Sequence, residues 1–319
     1  MPASSYPRLL GDIGGTNARF ALQETPGGAP GRVRRFATDD CPTLVDAVRR
    51  YLAQEGVSRV QLAAIGIANP VTGDRIRMTN HPWTFSIEET RVALGLERFV
   101  VVNDFHALAL SLPLLSPGDL VQVGGHLPEP GEPLALIGPG TGLGVSGLVF
   151  MPGGHARVAL DGEGGHVTLC AVTHDEERVV RRLRERFGHV SAERVLSGQG
   201  LENLYEALSG GAPALAAADI TARALDGSDA ACAKVVDMFC ALLGSIAGNL
   251  VLTLGARGGV YVGGGIVPRL GAAFHRSAFR ARFEDKGRMA AYLRPIPAYV
   301  ITAQTSPALL GAAQALENE

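Results

Sequence analysis

The sequence predicts an α/β protein made of two halves that open on the same local pattern. Residues 9–20 read as strand, glycine turn, strand, with Gly14-Gly15-Thr16 in the turn. Residues 134–150 repeat that grammar around residues 138–144, again with a threonine, Thr141, inside the turn. Elsewhere, short apolar runs rich in β-branched residues alternate with segments of helical spacing, the pattern of a mixed sheet with packed helices. At 319 residues the chain is long enough for about two domains.

In order, residues 32–37 supply a third strand. Residues 43–52 form a helix, with Leu44, Val45, Val48, Tyr51 and Leu52 on one face. Residues 60–68 are an apolar strand ended by Asn69-Pro70 and a turn at residues 71–74. Ile76 and Met78 alternate with Arg75 and Arg77 as in an edge strand. Ser86-Ile87-Glu88-Glu89 is a capping box opening a short helix. Residues 99–102 are a buried strand that stops at Asn103-Asp104, and a helix follows over 105–115. A domain boundary is expected near residues 113–117.

In the second half, residues 173–176 cap a helix that turns Val179, Val180, Leu183 and Phe187 inward and ends at Gly188. Its arginine run, residues 181–186, is interleaved with acids and reads as a solvated face. Leu201, Leu204, Tyr205 and Leu208 mark another helix, followed by an alanine-rich stretch at 212–218. A long helix runs from 228 to 255. A strand at 259–262 leads into Gly263-Gly264-Gly265, and Pro268 suits the first turn of the next helix. After a last strand at 298–303, Ser306-Pro307 is an N-cap and N1 pair for the terminal helix.

Composition narrows the function classes. Hydrophobic residues make up 46% and charged residues 19%, as in a globular protein with real cores. A net charge of −2 supplies no basic field for nucleic acid or an anionic membrane. Cys41, Cys170, Cys232 and Cys240 form no CxxC and no zinc spacing, so they read as free thiols of a reducing, cytoplasmic compartment. The opening residues lack a charged-then-apolar signal pattern. Residues 235–254 are apolar, yet Asp237, Ser245, Asn249 and Thr253 put a polar stripe on one helical face. A buried helix facing a polar cleft fits that pattern better than a membrane span.

The chain has only two lysines, Lys234 and Lys286, and no Gly-Lys dipeptide, so it has no P-loop. A phosphate site here must use backbone N–H groups, hydroxyls, helix ends and Mg²⁺. Gly11, Asp12, Ile13, Gly14, Gly15 and Thr16 form one candidate nest, and Gly140, Thr141 and Gly142 a second. Either alone is equally an ordinary glycine hairpin; together they favour a nucleotide gripped between two halves. Asp12, at a strand end, could hold a hydrated Mg²⁺ through water. Gly264 and Gly265 would let a base or ribose approach, or simply make a tight turn.

Asp104 lies at the carboxyl end of a buried strand, where open α/β sheets place ligands. It reads as a general base for an attacking hydroxyl, or one of Asn103 and Asp104 is the helix N-cap. Glu163 and His166 sit in a turn almost free of other side chains. Glu193 is favourable in a first helical turn whatever its function. Asn80-His81-Pro82-Trp83 is a packed loop or the flank of a sugar.

The motifs at residues 11–19, 78–81, 102–105, 138–144, 162–166, 189–198, 263–269 and 283–288 together resemble the bacterial glucokinase family of the enteric type. The likeness runs in order from about Leu9 to Leu310. It implies an actin-like, ribonuclease-H-like fold with two lobes, mixed β-sheets and an inter-lobe cleft. The small lobe would be residues 1–114 plus 305–319 and the large lobe residues 115–304. It implies transfer of the γ-phosphoryl of Mg-ATP to the 6-hydroxyl of glucose, so ATP, Mg²⁺ and glucose are the expected ligands. Asn103, Asp104, Glu163, His166 and Glu193 would hold the sugar, with Asp104 as base. A homodimer is left open. The alternatives are a same-fold kinase for mannose or an N-acetylhexosamine, or a sugar-sensing actin-like ATPase. The cysteine-rich zinc motif of the repressor/ORF/kinase family is missing.

Overall fold

The structure is a computed structural model that describes residues 5–79, 81–151, 157–210 and 213–318. Asn80 of the 78–81 motif and the first residue of the alanine-rich stretch lie outside them. Contacts divide the chain into two compact units. One comprises Met1–Ser116, Met151–Asp161 and Ala303–Glu319; the other comprises Pro117–Phe150 and Gly162–Thr302.

The first unit carries β1 (Arg8–Ile13), β2 (Asn17–Gln23), β3 (Gly31–Ala37), β4 (Leu62–Ile67), β5 (Arg75–Arg77), β6 (Thr84–Ser86) and β7 (Arg98–Asn103). Its main sheet has the order β3-β2-β1-β4-β7. β1, β4 and β7 run parallel, while β2 and β3 are antiparallel additions, so the sheet is mixed as expected. β4 is buried along its whole length, which is why it reads as an uninterrupted apolar run. One face packs Leu9, Ile13, Phe20 and Ile65 against Leu44, Val48 and Tyr51 of helix Leu44–Glu55. The helices Asp104–Ser111 and Pro307–Asn318 pack together and also contact the sheet. The edge strand expected at 75–78 pairs with β6 in a small ribbon of its own, with Ile76 buried and its arginines exposed.

The second unit continues with β8 (Leu120–Gln122), β9 (Leu134–Pro139), β10 (Leu143–Phe150), β11 (Arg157–Gly162), β12 (Val260–Val262) and β13 (Ala298–Ile301). At β11 the chain passes from the first unit to the second. Within the second unit the strand order is β10-β9-β12-β13-β8. The hairpin β9–β10 pairs Pro139 with Leu143, closing tightly around Gly140, Thr141 and Gly142.

Helix Ala230–Leu254 is long and apolar enough to cross a membrane by length and composition, but 78% of its most apolar window is buried inside the protein. Phe239, Leu243 and Ala247 make it the central helix of this unit's core. The polar stripe is only partly as expected. Asp237, Asn249 and Thr253 are exposed, whereas Ser245 is buried and its hydroxyl donates to the Ala241 carbonyl at 3.2 Å. A serine can bury itself in a helix by bonding one turn back, which periodicity cannot distinguish from facing a cleft.

Candidate active site

In the first unit, β1 ends at Asp12 and Ile13 and the chain turns through Gly14, Gly15 and Thr16 into β2. The Gly14 N–H closes the turn on the Asn17 carbonyl at 2.8 Å. Thr38 satisfies the turn's carbonyls: its N–H donates to Thr16 at 3.1 Å and its hydroxyl to Gly15 at 2.9 Å. Among the described residues, no acceptor meets the N–H of Gly15 or Thr16. Those are the donors a phosphate would take. Gly11 and Ile13 lie inward. A Cβ on Gly11 would stand 2.5 Å from the Ile65 side chain, and Ile13 is in the core with its carbonyl bonded to the Ala68 N–H.

The Asp12 carboxylate is largely buried. Its Oδ2 accepts from Arg19 Nη1 at 3.0 Å and from Ser306 Oγ at 2.7 Å. Reading the sequence in order missed both partners, since Arg19 is one strand away and Ser306 reads as a cap. Asp12 fits a hydrated Mg²⁺, which keeps several waters and needs only one or two carboxylates beside phosphate oxygens. Among the described residues no group of three or more His, Cys, Asp or Glu could hold a metal ion directly.

β7 ends at Asn103, and helix Asp104–Ser111 begins there. Asn103 is its N-cap, with Oδ1 accepting from the N–H groups of Phe105 at 2.9 Å and His106 at 3.3 Å. Its amide nitrogen donates to the Asn69 carbonyl at 3.3 Å. Asp104 is therefore not the cap, though its Oδ1 also accepts from Phe105 N–H at 2.9 Å. Burial, and after it the charge of Asp12, push the Asp104 carboxyl up to about 6, outweighing the lowering by these hydrogen bonds. Within the first turn of the helix, His106 Nδ1 meets Asp161 Oδ1 at 2.8 Å, a pair that the sequence did not signal.

In the second unit, Glu163, His166 and Glu193 come together. The His166 ring sets Nε2 3.9 Å from Glu163 Oε2 and Nδ1 3.9 Å from Glu193 Oε1. These gaps exceed direct hydrogen bonds, so the three polar groups converge without saturating one another. Glu193 is held by its other oxygen, which accepts from the Leu143 N–H at 2.9 Å. A Cβ on Gly142 would stand 2.5 Å from that oxygen, so the glycine of the second hairpin makes room for the carboxylate. Among the described residues the N–H groups of Thr141 and Gly142 have no acceptor in the protein.

The remaining glycines divide by cause. Gly264 has φ +76°, and a Cβ there would lie 2.3 Å from the Pro139 carbonyl oxygen, so it serves its own chain's close turn. A Cβ on Gly140 or Gly265 would meet nothing within 4 Å, so packing does not explain either glycine and a flat ligand could approach both. Trp83 is buried, with Nε1 donating to the Cys41 carbonyl at 3.0 Å, as a packed loop requires.

Two glycine hairpins with unused amide donors, in a chain without a P-loop, define a class: proteins that would hold phosphate by backbone N–H groups. Within that class the chain belongs to the Glucokinase family, which it matches over residues 9–319. The glucokinase of Aromatoleum aromaticum is 58% identical over 99% of this chain and 96% of that protein. The solved glucokinase of an Antarctic psychrotroph is 35% identical, with a TM-score of 0.89 over 98% of this chain and 99% of that one. A ROK-family glucokinase of Streptomyces griseus, solved with glucose and AMPPNP, shares the fold at 20% identity and a TM-score of 0.63, over 97% of this chain and 98% of that one. The chain is thus an ATP-dependent hexose kinase with an α/β fold of mixed sheets.

Proposed function

We propose that this kinase transfers the γ-phosphoryl group of Mg-ATP to the 6-hydroxyl of glucose, with Asp104 as general base. The observation that carries the reading is the place of Asp104, directly after Asn103 at the carboxyl end of β7, where burial pushes its carboxyl up to about 6. Such a group is ionised at neutral pH, yet is a stronger base than an ordinary aspartate. The family and its relatives named glucokinase support glucose as the acceptor.

In this reading Asn103, Asp104, Glu163, His166 and Glu193 bind the sugar hydroxyls. Carboxylates are strong acceptors, and several convergent ones suit a polyol. The N–H groups of Gly15, Thr16, Thr141 and Gly142 hold phosphate oxygens, and Gly140 and Gly265 give the nucleotide close passage beside the tight turn that Gly264 makes. Gly11, Gly14 and Ile13 shape the first turn. When bound, Mg²⁺ neutralises charge on the phosphate oxygens, and Asp12 is the residue that would hold it through water.

The 6-oxygen bonds to the γ-phosphorus as the bond to the bridging oxygen of ADP breaks, and Asp104 takes the hydroxyl proton late in the transfer. Binding sugar in a water-poor site limits idle ATP hydrolysis. The buried thiols Cys41, Cys232 and Cys240 and the exposed Cys170, none of them in a disulfide, support a cytoplasmic setting.

A coupled ADP-release assay across a panel of hexoses tests this reading. Glucose is expected to give the highest kcat/KM; a higher value for mannose or an N-acetylhexosamine would replace it as substrate. Asp104→Ala is expected to remove turnover with the fold intact by circular dichroism. Near-normal turnover in that variant would refute Asp104 as the base.

A further inference from the structure

Ser306 stands directly before Pro307, which opens helix Pro307–Asn318. A serine at such a place ordinarily turns its oxygen toward the N–H groups of its own helix. Here its hydroxyl donates to Asp12 Oδ2, 2.7 Å away and 294 positions distant in sequence. Arg19 donates to the same oxygen at 3.0 Å. Two donors on one carboxylate oxygen fix its rotation about the Cβ–Cγ bond and leave Oδ1 for another donor.

The helix behind Ser306 is itself anchored. The wholly buried Arg8 of β1 pairs with Glu317, and Arg98 donates to the Leu316 carbonyl at 3.3 Å. At Gly311 a Cβ would lie 1.6 Å from the Ala107 carbonyl oxygen, so this helix presses its backbone directly onto helix Asp104–Ser111. One element therefore packs on the helix that begins with Asp104 while its leading hydroxyl holds Asp12.

We propose that Ser306 is a positioning residue of the phosphoryl-transfer site, whose hydroxyl holds Asp12 so that Oδ1 meets the hydration shell of the nucleotide's divalent cation. The inference rests on the reading of Asp12 given above. Removing a hydrogen-bond partner of a metal-organising carboxylate weakens metal binding or activity by about 10-fold or more.

The test is Mn²⁺ binding to the full-length enzyme with ADP, followed by electron paramagnetic resonance, alongside steady-state kinetics with Mg-ATP. Ser306→Ala is expected to weaken Mn²⁺ binding about 10-fold and to raise KM for Mg-ATP without raising KM for glucose. Ser306→Thr keeps the hydroxyl and is expected to restore both. A lower Tm with unchanged Mn²⁺ affinity would mean Ser306 merely caps its helix, and would overturn the proposal. Asp12→Asn separates the two ideas. Weakened binding in Asp12→Asn but not in Ser306→Ala overturns the role of Ser306 alone. Unchanged binding in Asp12→Asn overturns the reading of Asp12 and this inference with it.

Discussion

Asp104 is electrostatically tied to Asp12: burial first, and then the negative charge of Asp12, raise its carboxyl to about 6. Neither carboxylate is close to the other in sequence. β1 carries one and the end of β7 the other, and β4 lies between those strands. The arrangement makes one aspartate a better proton acceptor by placing a second where its partners Arg19 and Ser306 hold it.

The pH dependence of kcat/KM should show an acid limb near pH 6. Below that value Asp104 is protonated and cannot accept the hydroxyl proton, so the rate falls about tenfold per pH unit. An acid limb near pH 4 would show that Asp104 is not raised or is not the base.

Asp104→Asn should lower kcat by roughly 10²–10⁴ while making the protein more stable at pH 7. The folded-state value of about 6 lies above the ordinary 3.8. The group's stabilising contribution is therefore complete below the unfolded value and lost as pH rises through the folded one. At pH 7 the ionised carboxylate costs stability on the order of 1–3 kcal/mol, which the neutral amide relieves. Its Oδ1 can still accept from Phe105. Calorimetry at pH 7 and pH 4 should find the gain at the higher pH only.

Gly142→Ala should raise KM for glucose and lower kcat/KM by roughly 10- to 100-fold, with little change in Tm. The added Cβ would stand 2.5 Å from Glu193 Oε2, the end of a flexible side chain that can move away. Movement costs the bond to the Leu143 N–H and the spacing to His166. An unchanged glucose KM would separate Glu193 from sugar binding.

Arg282→Ala should cost about 3–5 kcal/mol of stability, because it strands the buried Glu176 carboxylate. Burial alone would raise Glu176, but Arg282 at 2.6 Å and the N–H groups of Val172 and Thr173 hold it below its usual range. Its contribution is present above the unfolded value and fades as pH falls through the folded one. Urea titration should find the double variant Arg282→Met with Glu176→Gln less destabilised than Arg282→Ala.

Several features were legible one segment at a time. Thr173 caps its helix with Glu176 in a reciprocal box, and Ser86 accepts from the Glu89 N–H, because capping needs only neighbouring residues. Helix Ala217–Asp226 starts where the alanine-rich stretch ends, and Ile220 is its one buried side chain. The three-residue β8 is too short to show alternation, and it becomes a strand by pairing with β13. The cluster of Glu163, His166 and Glu193 was reached through family likeness, since thirty positions of chain separate its members.

The sequence by itself determined the two glycine hairpins, the strand that delivers Asn103 and Asp104, the absence of a P-loop and the family. These depend on residue type and spacing within one or two turns of chain. Tertiary structure alone decided that Asn103 caps the helix, that Asp104 is raised and that Ser306 turns its hydroxyl to Asp12. Such outcomes depend on desolvation and on contacts between distant segments, and those exist only once β1, β7 and the terminal helix pack together.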